Sequence, residues 1–132
     1  MTTTDPAGFP LTGDAALDMA HRALFAEWRR IAALPTPAFA PAFHAAVAML
    51  ERDFREEEDL MEEMDFPGLA CHREQHARAL SGLHHAAAML AEGKDKPARH
   101  AIVLLLDWLT IHIGTLDLAL AVATDLARAA RR

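Results

Sequence analysis

The sequence predicts an all-α fold, an up-down-up-down antiparallel four-helix bundle. Composition is the first indication: 29 Ala and 18 Leu stand against 3 Val and 4 Ile in 132 residues, a bias toward helix and away from strand. Punctuation is the second. Pro and Gly cluster at Phe9–Gly13, Leu34–Pro41, Asp65–Gly68 and Glu92–Pro97 and cut the chain into four long stretches. Periodicity is the third, because each stretch carries an apolar seam at the three-four spacing of a packed helix.

The first helix is expected over about 14–34, with a seam through Leu17, His21, Leu24, Trp28 and Ile31. The second is expected over about 37–64, with Thr36 as its N-cap and Pro37 at the first helical position. Its seam is Val47, Leu50, Phe54, Glu57 and Met61, with Asp53 at the edge. The third, about 68–91, lines up Leu69, His72, His76, Leu80, Leu83, Ala87 and Leu90. The fourth, about 97–130, lines up Leu105, Leu109, His112, Leu116, Ala119 and Ala123. The connections are short, so consecutive helices run antiparallel, and residues 1–132 read as one domain without repeats or long linkers.

Composition also bounds function. A net charge of −6 and a pI near 5.7 argue against a nucleic-acid partner, which needs a basic face. A lone cysteine, Cys71, leaves no internal disulfide and fits a reducing compartment. It lies about 100° round the helix from His72 and reads as a small packing residue. Met1–Pro10 has no basic or apolar leader pattern, and apolar runs such as Ala101–Leu106 fall short of the roughly 20 residues of a span. A cytoplasmic protein with no membrane partner is the expectation. The absence of Tyr rules out tyrosyl-radical chemistry.

The anomaly is polar. Histidines and acids occupy the seams that should be apolar. His72 and His76, four apart, point the same way on one helix. They are not a zinc-protease pair, since Glu74 sits at the wrong place between them. Counted from the turns at about 1.5 Å per residue, His21, Asp53, Glu57, His72, His76, His112 and Asp117 reach nearly the same level of the bundle. Four imidazoles and three carboxylates buried together without a cation would cost many kcal/mol. Seven donors exceed one ion's usual share, so two carboxylate-bridged ions are the economical reading. Imidazole with carboxylate suits iron, manganese or zinc, and a carboxylate-rich bundle favours iron. His44, His84, His85 and His100 lack a carboxylate at that level and read as surface or seam-edge residues.

The ordered series His21, Glu57, His72-xxx-His76 and His112-xxxx-Asp117 resembles the hemerythrin-like (HHE cation-binding) family. Neighbouring residues agree: Asp18-xx-His21-xx-Leu24-Phe25, Phe54-xx-Glu57-Glu58-x-Leu60-Met61, Phe66-Pro67, and Trp108-Leu109-xx-His112-Ile113. The likeness covers about residues 14–120. It implies a centre of two Fe ions with an oxo or hydroxo bridge. By that resemblance His72, His76 and His112 hold one iron, and Glu57 and Asp117 bridge both. The second iron, open to dioxygen, takes His21 and a residue four before Glu57. The family has His there; this chain has Asp53, which either binds directly or leaves a water to complete the shell. Trp28, Phe54, Met61, Trp108 and Leu109 are expected to line the dioxygen pocket.

Three functions follow. The first is a di-iron protein that binds dioxygen for storage, delivery or sensing, tuned by Asp53. The second is a di-iron oxidoreductase of oxidase or peroxidase type, using dioxygen or peroxide with a small-molecule substrate or reductant. The third is a structural or zinc-binding helical interaction module.

Overall fold

Asp14 starts the first helix, its side chain accepting the Leu17 N–H at 3.1 Å. The helix, α1, runs Ala15–Ala32 and buries His21, Leu24, Phe25, Trp28 and Ile31. These positions belong to a computed structural model that describes residues 4–131. Met1–Thr3 and Arg132, the ends of the expected domain, lie outside the described residues.

Helix α2 is Thr36–Glu63. Thr36 is not its N-cap. Pro35, extended at ψ 157°, holds that place, and its carbonyl accepts Ala38 and Phe39 N–H groups at 3.0 Å. Thr36 is already helical, and its hydroxyl donates to Asp95 at 3.3 Å instead. Pro37 costs no hydrogen bond, because first-turn N–H groups have no helical partner. Pro41, expected as part of the break, lies inside the helix.

Two turns of one kind join the next helices. After α2, Asp65 takes φ +52°, and Phe66 N–H reaches back to Met61 C=O at 2.9 Å. After α3, Leu69–Ala91, Gly93 takes φ +85°, and Lys94 N–H bonds Met89 C=O at 3.0 Å. Both are Schellman closures, in which a left-handed residue reverses the chain tightly. They make α2, α3 and the following helix antiparallel neighbours.

The fourth rod is not one regular helix. Lys96–His112 (α4) and Leu118–Ala130 (α5) are joined by a π-helical turn, Ile113–Asp117. The extra residue in that turn rotates everything after it. The expected seam of Leu116, Ala119 and Ala123 is displaced: Leu116 and Ala123 are half-buried and Ala119 is exposed. The buried row is instead Leu105, Leu109, His112, Ile113, Asp117, Leu120, Ala121 and Thr124.

The rods close an all-α antiparallel four-helix bundle, α1 against α2 and α4, α3 against α2 and α4. The described residues contain no named strand. The fourth rod, 35 residues with an 18-residue stretch of mean hydropathy 1.6, is long and apolar enough to cross a membrane, although its uninterrupted apolar runs are short. Its buried polar pair, His112 and Asp117, faces the bundle interior. Residues 4–13, of which Phe9–Gly13 was expected only as a break, form a strap over α1. Phe9 is fully buried there, 4.9 Å from the Phe25 ring.

Candidate metal centre

Four histidines from three rods meet two carboxylates in the bundle interior. His21 comes from α1, Glu57 from α2, His72 and His76 from α3, and His112 and Asp117 from the fourth rod. The histidines and Asp117 are each no more than 3% exposed, and Glu57 is half-buried. On a regular helix Asp117 would point about 140° away from His112, five residues earlier. The π turn removes that difference and brings Asp117 Oδ1 to 3.3 Å from His112 Nε2.

The donors form two groups that share Glu57. One is Glu57, His72, His76 and His112; the other is His21, Glu57 and Asp117. Within each group one donor atom per residue lies within 4.8 Å of all the others. Atoms bound at about 2.0–2.2 Å to a common ion fall within roughly 4.4 Å of each other, so each group is nearly contracted to ion-binding size.

The contacts are short but not built as hydrogen bonds. His72 Nε2 lies 2.7 Å from Glu57 Oε1 and 2.9 Å from Asp117 Oδ1. His21 Nε2 lies 3.0 Å from Asp117 Oδ2. Yet His72 Nε2, Glu57 Oε1 and Asp117 Oδ1 are buried without a hydrogen-bond partner, because the angles are wrong. The groups aim at common points between them rather than at one another. Orphaned buried polar atoms are costly, and an ion at those points removes the cost. The donor set fits bound metal.

The outer partners give the same orientation. Glu58 Oε2 accepts from His76 Nδ1 at 2.8 Å, and Gln75 Oε1 from His112 Nδ1 at 3.3 Å. With Nδ1 carrying the proton, both Nε2 lone pairs face inward, where they lie only 3.2 Å apart. Two acceptors so close repel unless a cation or proton lies between them. Burial opposes a charge on His72, but Asp117 and Glu57 outweigh it and push its pKa up to about 9. Burial likewise opposes the Asp117 charge, and the surrounding imidazoles, His112 first, hold its pKa well below the usual carboxylate range. Without metal, the carboxylates beside His72 favour its protonated form.

Stacking fixes two of the rings. Phe54 lies flat on His76, centroids 3.8 Å apart and planes 1° from parallel, and Trp108 lies on His112 at 4.5 Å and 15°. Only Phe54 and Leu109 of the expected pocket-lining residues border the cavity beside the site. Trp108 sits behind His112, Trp28 meets Phe43 edge-on in the core, and Met61 is buried away from the cavity.

That cavity, about 250 Å³, lies where α1, α2 and the fourth rod meet, over His21, Glu57 and Asp117. Asp53 stands on its wall, outside both converging groups. Burial, then Glu56 and Glu57, push the Asp53 carboxyl upward. Glu58, Gln75 and the π turn were not foreseen from the sequence. The one visible signal of the π turn is the five-residue interval from His112 to Asp117, which is out of phase with a helix. Cys71 is exposed rather than packed. His44, His84, His85 and His100 are all exposed, and His84 pairs with Glu51 at 2.7 Å.

No family model matches the chain, and no solved structure gives a significant match. The bacteriohemerythrin of Ralstonia nicotianae is 32% identical over 105 residues, which cover 80% of this chain and 77% of that protein. A likeness of that extent, over a helical bundle whose interior gathers His, Glu and Asp at one level, establishes that the chain belongs to the hemerythrin-like family.

Proposed function

We propose that the chain is a non-haem di-iron protein that binds or reacts with dioxygen. The observation that carries this reading is the pair of donor groups joined through Glu57. In it, His72, His76 and His112 would hold one iron and His21 would serve the second, with Glu57 and Asp117 shared between them. Asp53 serves the second ion directly or through water. When bound, the iron pair supplies the electrons for dioxygen chemistry. The chain does the rest. Glu58 and Gln75 fix the imidazole tautomers. Phe54 and Trp108 hold the rings in plane, and Leu24, Leu60 and Leu109 make the cavity wall apolar beside the donors.

The oxidoreductase alternative has its own support. Dioxygen has two atoms, and a cavity of about 250 Å³ admits a small organic molecule beside it. Asp53, with its pKa raised, stands where a proton could be given to or taken from such a molecule.

Metal analysis of the purified protein tests the main reading: about two irons per chain are expected, and one zinc or no metal refutes it. Mixing the anaerobic diferrous protein with dioxygen separates the two activities. Spectral changes that reverse under vacuum support binding. Irreversible oxidation, or turnover of hydrogen peroxide, supports the oxidoreductase.

A further inference from the structure

His76 and His112 are each held by a hydrogen bond and a stacked ring. His21 has neither: its Nδ1 is buried without a partner. What touches its ring is the N-terminal strap, where Phe9 meets it edge-on at 6.5 Å and 76°. The strap is fastened at both ends. Asp5, nearly fully buried, accepts Arg22 Nη2 at 2.8 Å and Nε at 3.2 Å. Asp18 accepts both the N–H and the hydroxyl of Thr12 at 2.8 Å. Between those ends Pro10 rests on the π turn at Gly114. A Cβ there would stand 3.2 Å from Pro10 Cγ and 3.6 Å from Pro10 Cβ, so any side chain at 114 presses Pro10 back by a few tenths of an ångström. The same π turn brings Asp117 onto the face of His112.

We propose that this strap is a latch on the π turn, with Phe9, Pro10 and Gly114 as positioning residues that set His21 and Asp117 for the second metal ion. The inference rests on the metal reading above. It makes a reciprocal claim, since a latch that favours metal binding is itself tightened by metal to the same degree. His72, His76 and His112 do not touch the strap, so the first ion feels it only through the shared Asp117, and less than the second, which depends on both His21 and Asp117.

Cobalt(II) is the probe. Wild-type protein is titrated to two equivalents while amide exchange is followed at Asp5, Gly8 and Thr12, whose N–H groups are bonded within the strap or to Asp18. The second equivalent is expected to slow their exchange about tenfold, with the first having little effect. Gly114→Val, which crowds Pro10, and Asp5→Ala, which frees the far end, should each weaken the second equivalent about tenfold. Both should leave the first within about twofold. If the strap is only structural, both variants lower the melting temperature equally with and without cobalt, and that result overturns the latch. So does binding of two equivalents with unmoved strap amides. If wild-type protein takes up no cobalt at all, the metal reading falls first and the latch with it.

Discussion

Glu58→Gln asks whether the residues behind the imidazoles tune the metal centre. Glu58 Oε2 accepts the His76 Nδ1 proton at 2.8 Å while Oε1 holds Arg73 Nε at 3.1 Å. Glutamine keeps the length and one acceptor oxygen but removes the charge that makes the imidazole a stronger donor to metal. Losing such a partner costs about 10–100-fold in metal affinity, or about 1.4–2.7 kcal/mol. At a fixed excess of free metal that loss passes directly into the stability of the loaded protein. A chain of 132 residues unfolds with an entropy of roughly 0.28 kcal/mol/K, so the loaded form should melt about 5–10 °C lower. The metal-free form loses chiefly an exposed pairing with Arg73, about 0–1 kcal/mol, and should shift by under about 4 °C. Gln75→Leu removes a longer, neutral contact of 3.3 Å and should fall at the low end of the affinity range. Chelator-buffered metal titration, with calorimetry of both forms, gives all these values. An affinity for Glu58→Gln within twofold of wild type would refute the argument, as would a larger effect at Gln75.

The metal-free protein should have an acid-side stability optimum. Asp117 is depressed below the usual 3.8, so its contribution is present above that pH and lost on acidification. His72 is raised from 6.5 to about 9, so its contribution is full below 6.5 and lost as pH climbs through 9. Calorimetry should place the maximum between about pH 4 and 6.5; a maximum at alkaline pH contradicts the cluster's electrostatics. At the helix starts, Asp14→Ala should cost about 1 kcal/mol and Thr36→Ala less than about 0.5 kcal/mol by denaturant unfolding, because only Asp14 caps a helix with its side chain. Equal costs count against the assignment. Asp53→His should shift dioxygen behaviour toward reversible binding, and an unchanged oxidation rate in stopped flow removes Asp53 as a tuning residue.

What the sequence made legible, and what it hid, follows from how far each side chain's position depends on its own helix. His72 and His76 could be read directly, since four residues on a regular helix share a face wherever the helix packs. His21 and Glu57 followed once the turns fixed the levels of the rods. Asp117 could not be read this way. Five residues after His112 it belongs on another face; counting from the turns gave its level, and only the resemblance to a family gave it a ligand's role. The structure supplies the missing cause in a π turn, whose cost in helical hydrogen bonding is incurred where it moves one carboxylate into the interior. Gln75 and Glu58 are harder still, because each is adjacent in sequence or space to one predicted donor while bonding a ring on a different helix. Trp28 and Met61 show the opposite failure. A seam says which way a side chain points but not what lies opposite, and both point into packed core rather than toward the cavity. Periodicity therefore finds donors on regular helices. It misses those that an irregular turn delivers, and here that turn, with Gly114 under Pro10, is what completes the site.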